Sequence, residues 1–229
     1  MNPDIMKIKK TWTAKRSIIV AILSVAIGAA IFFISYMGAS KDLGIGSFNE
    51  SILQFMLSLR QPNMTNAMST VTAFGSTPVM AAIVTVIVII WASYKREFWR
   101  PMLLACSVIV ASIVSTLIKS ESMINRPAAT SMVPPIELNF AFPSGHTLGI
   151  VVLLLVMGYL ICSRRSSVVS TIIWISTTII GTALISISRL YLGYHWLTDV
   201  IAAVGLGLAM LGIIIFIDKF ITNKFTRLQ

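Results

Sequence analysis

Six apolar runs, each near the length that crosses a bilayer as a helix, divide this 229-residue chain from one end to the other. They cover about 17–37, 75–94, 101–118, 147–162, 168–187 and 200–217. A membrane helix needs roughly 20 apolar residues in succession, since lipid supplies no partner for an unpaired backbone N–H or C=O. Composition agrees, because only 11% of the residues are charged, against about 25% in soluble domains. The expectation is an all-α integral membrane protein of six transmembrane helices, forming one membrane-embedded domain over 1–229. No internal repeat, low-complexity tract or soluble domain is visible. The first run follows Lys7, Lys9, Lys10, Lys15 and Arg16 like a signal peptide, but it exceeds a signal-peptide core in length and is expected to remain as a span.

The net charge of +10 would suit nucleic acid, but the basic residues sit in short groups between apolar runs rather than in a basic tract. No nucleic-acid partner is expected, and no obligatory protein partner is evident. On alternate connections, thirteen of the eighteen Lys and Arg fall on the side that carries both termini. The positive-inside rule then puts both termini in the cytoplasm of a plasma-membrane protein. The exceptions include Lys119, Arg126 and Arg189, which oppose the trend on the outer face. Charge near a membrane is costly and is usually kept for function.

Between the first two spans, Phe48, Ile52, Phe55, Met56 and Leu59 recur at helical spacing, and Met64, Met68 and Val71 continue the pattern after Pro62. Two short amphipathic helices on the outer face are expected over 47–73, either lying in the membrane surface or packed on the bundle. Asn49 and Asn63 open Asn-x-Ser/Thr sequons, which matter only in a glycosylating host. Ala203, Gly205, Gly207, Ala209 and Gly212 suit close helix contact in the last span. Cys106 and Cys162 lie inside apolar runs and read as packing residues. With two cysteines, two histidines and eight acids, mostly scattered, neither a metal site nor a cofactor is expected.

Both histidines stand in short polar clusters. His195 and Asp199 are four apart at the start of the last span and would share a helix face. A carboxylate on one imidazole nitrogen fixes the tautomer and leaves the other as nucleophile or base. A bare juxtamembrane histidine followed by an aspartate favoured at a helix N-terminus is the plainer alternative. Ser144-Gly145-His146 opens the fourth span after Pro143. Ser144 can cap the helix, free N–H groups can take an anion, Gly145 allows close approach and His146 can donate a proton. A simple capped turn explains the same residues. Lys119, Arg126 and Arg189 would repel one another without an anion and match phosphate oxygens with one. Headgroup anchoring suits any one of them but not the group.

Taken together, Lys119-x6-Arg126-Pro127, Pro143-Ser144-Gly145-His146 and Ser188-Arg189-x5-His195-x3-Asp199 resemble the three-part signature of the type 2 phosphatidic acid phosphatase superfamily, membrane-bound lipid phosphate phosphatases. Within it the chain looks most like bacterial phosphatidylglycerophosphate and undecaprenyl pyrophosphate phosphatases. The resemblance implies hydrolysis of a lipid phosphate without metal at the outer surface. His195 would attack phosphorus, oriented by Asp199, and form a phosphohistidine. His146 would protonate the leaving oxygen and then activate water. Lys119, Arg126, Ser144, Gly145 and Arg189 would hold the phosphate oxygens. Two rivals use similar residues: a protein that binds or moves anionic lipids without turnover, and a vanadate-dependent haloperoxidase, whose relatives are mainly soluble.

Overall fold

The computed structural model describes residues 14–165 and 167–226. Lys7, Lys9, Lys10 and Arg227 of the basic count lie outside them. Eight α-helices run through the described residues: α1 (Ala14–Lys41), α2 (Asn49–Ser58), α3 (Pro62–Ala73), α4 (Thr77–Lys95), α5 (Trp99–Ser122), α6 (Gly145–Arg165), α7 (Val168–Tyr191) and α8 (Leu197–Thr226). Six of these, all but α2 and α3, are long and apolar enough to cross a membrane. No strand occurs among the described residues.

Helix boundaries follow local chemistry. Pro62, Pro78 and Pro101 stand in the first turns of α3, α4 and α5, where the missing N–H would have had no partner. Arg96 and Met123 adopt left-handed conformations at the ends of α4 and α5, and Met123 donates its N–H back to Lys119 O, a helix-ending bond. The helices outrun the expected spans. Lys119 lies in the last turn of α5 and Arg189 in the last turn of α7, not in the connections. Hydropathy ends a span at its first charge, whereas a helix continues when that charge has a polar pocket to enter.

Helices α6 and α8 form the enclosed centre. Leu148, Val152, Val156 and Leu160 of α6 pack with Ala203, Leu211, Ile214 and Ile215 of α8. Helix α1 lies against α8 with the backbones nearly touching. A Cβ on Gly28 would collide with Gly205 and Ala209, and one on Gly212 with Ala21. Large side chains would hold the pair apart, so the small residues of the last span do the expected packing. Elsewhere large apolar side chains such as Ile22, Phe33, Ile90, Ile113, Ile175 and Ile179 point outward, as they do when the surrounding solvent is lipid.

The α2–α3 hairpin packs on α7 and exposes apolar side chains as well. The expected stripe divides. Met56 and Met68 pack against Tyr191, Leu192 and Tyr194, while Leu53, outside that stripe, is the buried residue of α2. Phe48, Phe55, Leu59 and Met64 face out. Of the two arrangements expected for this segment, the structure shows the hairpin packed on the bundle.

Candidate active site

Successive antiparallel spans bring the C-terminal ends of α5 and α7 and the N-terminal ends of α6 and α8 to one end of the bundle. These four ends carry all three polar clusters. Two connections bind the ends together. The 123–143 loop is anchored by Phe142, fully buried against Phe32 and Tyr36 of α1 at ring distances of 5.5 and 5.6 Å. It is stitched to the α7–α8 turn by Val133 N to Leu192 O, Tyr194 OH to Val133 O and Trp196 Nε1 to Asn125 O.

His195 precedes α8 rather than lying on it, which corrects the reading of a shared helix face. The contact with Asp199 arises from capping. Asp199, in the first turn, reaches back to accept from Trp196 N at 2.9 Å, as an N3 acid does in a capping box. The same Oδ2 lies 3.0 Å from His195 Nδ1. The other ring nitrogen, Nε2, is 3.1 Å from Arg126 Nη1. A guanidinium only donates and a carboxylate only accepts. The neighbours therefore assign the proton to Nδ1 and the lone pair to Nε2. Burial, and then the charges of Arg126, Arg189 and Lys119, hold the His195 pKa well below its ordinary value, so the ring is neutral.

Ser144 caps α6. Its Oγ accepts from Thr147 N at 3.4 Å, and its own N–H donates to Asp199 O at 3.1 Å, joining the second cluster to the third. Gly145 faces Ser115 of α5, whose buried hydroxyl has no partner among the described residues. His146 follows in the first turn of α6. Among the described residues its ring makes no hydrogen bond to protein, and it lines the same cavity as His195. Gly75, in the α3–α4 turn, lies over it: a Cβ there would stand 3.0 Å from His146 Cβ.

The cations are not left to repel one another. Lys119 Nζ donates to Phe140 O at 2.6 Å and Ala141 O at 2.8 Å. Arg126 bonds Asn139 and Tyr194 O, and its Nη2 is 2.6 Å from Glu137 Oε2. Arg189, 1% exposed, pairs with the other Glu137 oxygen, bonds Thr72 Oγ1 at 3.2 Å and lies 4.3 Å above the Tyr194 ring. Burial alone would raise the Glu137 pKa, but Arg189 and Arg126 outweigh it and hold the carboxyl below its ordinary value.

All eight residues singled out from the sequence thus stand together. Those it did not single out are Glu137, Asn139, Tyr194, Thr72 and Asn49. Asn49 Oδ1 accepts from Thr198 N at 3.1 Å and Asn49 Nδ2 donates to Thr198 Oγ1 at 3.2 Å, holding the start of α8. Among the described residues, no group of three or more His, Cys, Asp or Glu could hold a metal ion.

From the polar end a cavity of about 780 Å³ runs down between α4 and α5. Met80, Val84 and Val88 line one side, and Val108, Ile109 and Ile113 the other. Ile89 and Ile113 at its margin are exposed, so it opens sideways toward lipid.

An oriented imidazole among surplus cations suits phosphoryl chemistry, and an apolar groove open to the bilayer suits a lipid tail. The class so defined is the membrane lipid phosphate phosphatases. The family comparison agrees: the PAP2 superfamily model matches residues 100–221, more than half the chain, and the chain belongs to that superfamily. It is 27% identical over 207 residues to phosphatidylglycerophosphatase B of Bacillus subtilis (strain 168), covering 87% of this chain and 95% of that protein. A crystal structure of a transmembrane PAP2-type phosphatidylglycerolphosphate phosphatase from Bacillus subtilis has the same fold, with a TM-score of 0.73 and 22% identity over 85% of this chain and 97% of that one. LpxE of Aquifex aeolicus is a more distant match in fold, with a TM-score of 0.54 and 19% identity over 74% of this chain and 94% of its own.

Proposed function

We propose that this enzyme hydrolyses the terminal phosphate of a lipid phosphomonoester or pyrophosphate, of the phosphatidylglycerophosphate or undecaprenyl pyrophosphate type, through a phosphohistidine on His195. The observation that carries the reading is the fixed tautomer of His195. With Nδ1–H held by Asp199, the lone pair is left on Nε2, where Arg126 covers it at the wall of a cavity that His146 also lines.

In the first step Arg126 moves from Nε2 to a phosphate oxygen. Nε2 bonds to phosphorus as the bond to the leaving oxygen breaks, and His146 supplies the proton to that oxygen. In the second step His146 takes a proton from water, the hydroxyl attacks phosphorus and inorganic phosphate leaves Nε2. Arg126, Arg189 and Lys119 hold the equatorial oxygens as charge spreads over them. Gly145 adds a free N–H of the α6 N-terminus and Ser144 its hydroxyl, since the Ser144 N–H is taken by Asp199 O. No step draws on a metal or cofactor.

The relative's name supports phosphatidylglycerophosphate as substrate, and the groove between α4 and α5 accommodates an acyl or isoprenoid chain. The thirteen-to-five basic asymmetry supports both termini in the cytoplasm and the site on the extracytoplasmic side. A cysteine placed in the 128–138 loop should label from outside and one beside Arg164 should not. The reverse result would put the chemistry on the cytoplasmic face.

Phosphate release from phosphatidylglycerophosphate, undecaprenyl pyrophosphate, phosphatidic acid and diacylglycerol pyrophosphate, measured on purified protein with and without EDTA, tests the reading. Turnover should survive chelation and be inhibited by vanadate. Release from none of the four, or release only with added magnesium, refutes it.

A further inference from the structure

Glu137 stands where the reaction above requires a phosphate. Its two oxygens are divided between two guanidinium groups, Oε2 with Arg126 at 2.6 Å and Oε1 with Arg189. It lines the mouth of the cavity with Lys119, His146 and His195. Arg126 also covers the His195 lone pair, so the site rests closed upon its own carboxylate. Arg189 Nε is buried without a partner among the described residues, and the guanidinium keeps a donor in reserve.

The two sides of this arrangement differ in freedom. The Arg126 and Arg189 side chains are 5% and 2% exposed, whereas Glu137 is 26% exposed and its neighbour Leu138 is 94% exposed. The carboxylate rides on a surface loop and has solvent to withdraw into, whereas the two guanidinium groups it leaves are buried. Counting Lys119, Arg126 and Arg189 against Glu137 and Asp199, the site carries one surplus positive charge with Glu137 seated and two with it withdrawn. A phosphomonoester, with a charge of about −1.5 to −2 at neutral pH, matches the withdrawn state. A phosphodiester carries one negative charge, no more than the carboxylate it would displace. Most bilayer phospholipids are phosphodiesters, and their headgroups crowd the plane in which the cavity opens.

Resting on the phosphatase reading, we propose that Glu137 is a specificity residue. It is a charge-selective occupant of the phosphate cradle that excludes phosphodiester headgroups and yields to the dianionic end of a monoester or pyrophosphate. Selectivity then comes from a built-in competitor, not from a tighter fit to the substrate.

The test measures turnover of a short-chain phosphatidic acid by the full-length protein in detergent, with phosphatidylglycerol and inorganic phosphate as inhibitors. Phosphatidylglycerol should inhibit wild type weakly. Glu137→Gln, close in shape but uncharged, should lower its Ki by about tenfold, and lower the inorganic phosphate Ki by clearly less. Glu137→Asp should stay near wild type. An unchanged phosphatidylglycerol Ki in Glu137→Gln, or both Ki values falling in equal proportion, overturns the proposal.

Thermal-shift measurements repeat the comparison without catalysis, which covers a variant that folds but does not turn over. Inorganic phosphate should protect both proteins, and dimethyl phosphate should protect Glu137→Gln but not wild type. Dimethyl phosphate protecting wild type as well as inorganic phosphate does, or failing to protect the variant, overturns the proposal. The first of these needs no variant at all. Failure of the phosphatase reading is distinct: wild type would then release no phosphate from any substrate, whatever Glu137 excludes.

Discussion

The bundle carries a buried polar cluster at each end, and the two are put together differently. At the end away from the cavity, Arg100 of α5 and Asp218 of α8 are 5% and 1% exposed. Asp218 accepts from Trp99 Nε1 at 3.0 Å and Tyr159 OH at 2.7 Å, with Arg100 3.5 Å away. Arg100 also bonds Leu160 O, and Arg164 makes a two-pronged pair with Glu97. Two arginines meet two acids, and both Asp218 oxygens are used. At the cavity end three cations meet two acids, and Arg189 Nε, Asp199 Oδ1 and Ser115 Oγ are buried without partners among the described residues. A buried cluster that only joins helices is expected to be neutral and saturated, because every unmatched group costs free energy. Surplus charge and spare donors make sense where an anion comes and goes.

Exchanging damage between the two clusters tests this contrast, and the largest effect belongs to the cavity end. His195→Ala should cut turnover by at least about a thousandfold, with no acid-labile, base-stable phosphate on the trapped protein and a melting temperature near that of wild type. His146→Ala should slow lipid substrates by about 10²–10⁴-fold. With p-nitrophenyl phosphate, whose leaving group needs little protonation, it should still form the phosphoenzyme and stall there. If His195→Ala accumulates that label and His146→Ala cannot, the two roles are exchanged. Asp218→Ala should do the opposite of both. Taking the buried partner from Arg100, which keeps only the longer 3.8 Å pair with Glu97, costs up to about 3–5 kcal/mol, read as a lower unfolding midpoint, while kcat per folded molecule stays near wild type. A loss of kcat without a loss of stability would mean that the saturated cluster is not merely a staple. Asp199→Asn lies between these cases: it should lower kcat by disturbing the His195 tautomer while phosphate still protects the protein against unfolding.

How far the sequence reveals these clusters depends on the kind of signal each residue leaves. The six spans are readable because lipid demands uninterrupted apolar helix, and the three motifs because polar residues are conspicuous against it. The spans are underestimated where Lys119 and Arg189 extend α5 and α7, since hydropathy cannot see the pocket that receives the charge. The His195–Asp199 contact was expected from helical spacing and is made instead by a helix cap, which brings the same two side chains together from a different backbone. Glu137 and Asn139 leave no comparable trace. They lie in a loop without periodicity, and only the closure of that loop onto α7 and α8 makes them partners of the arginines. Asn49 is hidden in another way. Its sequon draws attention to the surface, whereas its amide is spent on the start of α8. Arg100 and Asp218 are separated by four spans' worth of sequence choices and become a pair only through the order in which α5, α6 and α8 pack.

The smallest expected effect is a displacement on the pH axis. An imidazole at the cavity end must be unprotonated to attack phosphorus. Burial comes first in lowering the His195 pKa, followed by the charges of Arg126, Arg189 and Lys119. A lowered pKa means that the ring stays neutral as pH falls through the ordinary histidine value of 6.5. The acid limb attributable to His195, followed as phosphoenzyme formation from p-nitrophenyl phosphate so that protonation of the leaving group matters little, should therefore lie below that value. Removing one of the cations should move the limb upward. Arg126→Gln, which keeps a hydrogen-bond donor near Nε2 but deletes a charge, is the informative substitution, and some loss of rate from the missing phosphate contact is expected alongside it. A limb at or above the ordinary value in wild type, or one that Arg126→Gln leaves in place, would mean that the surplus charge of this cluster does not act on His195 and serves the phosphate alone.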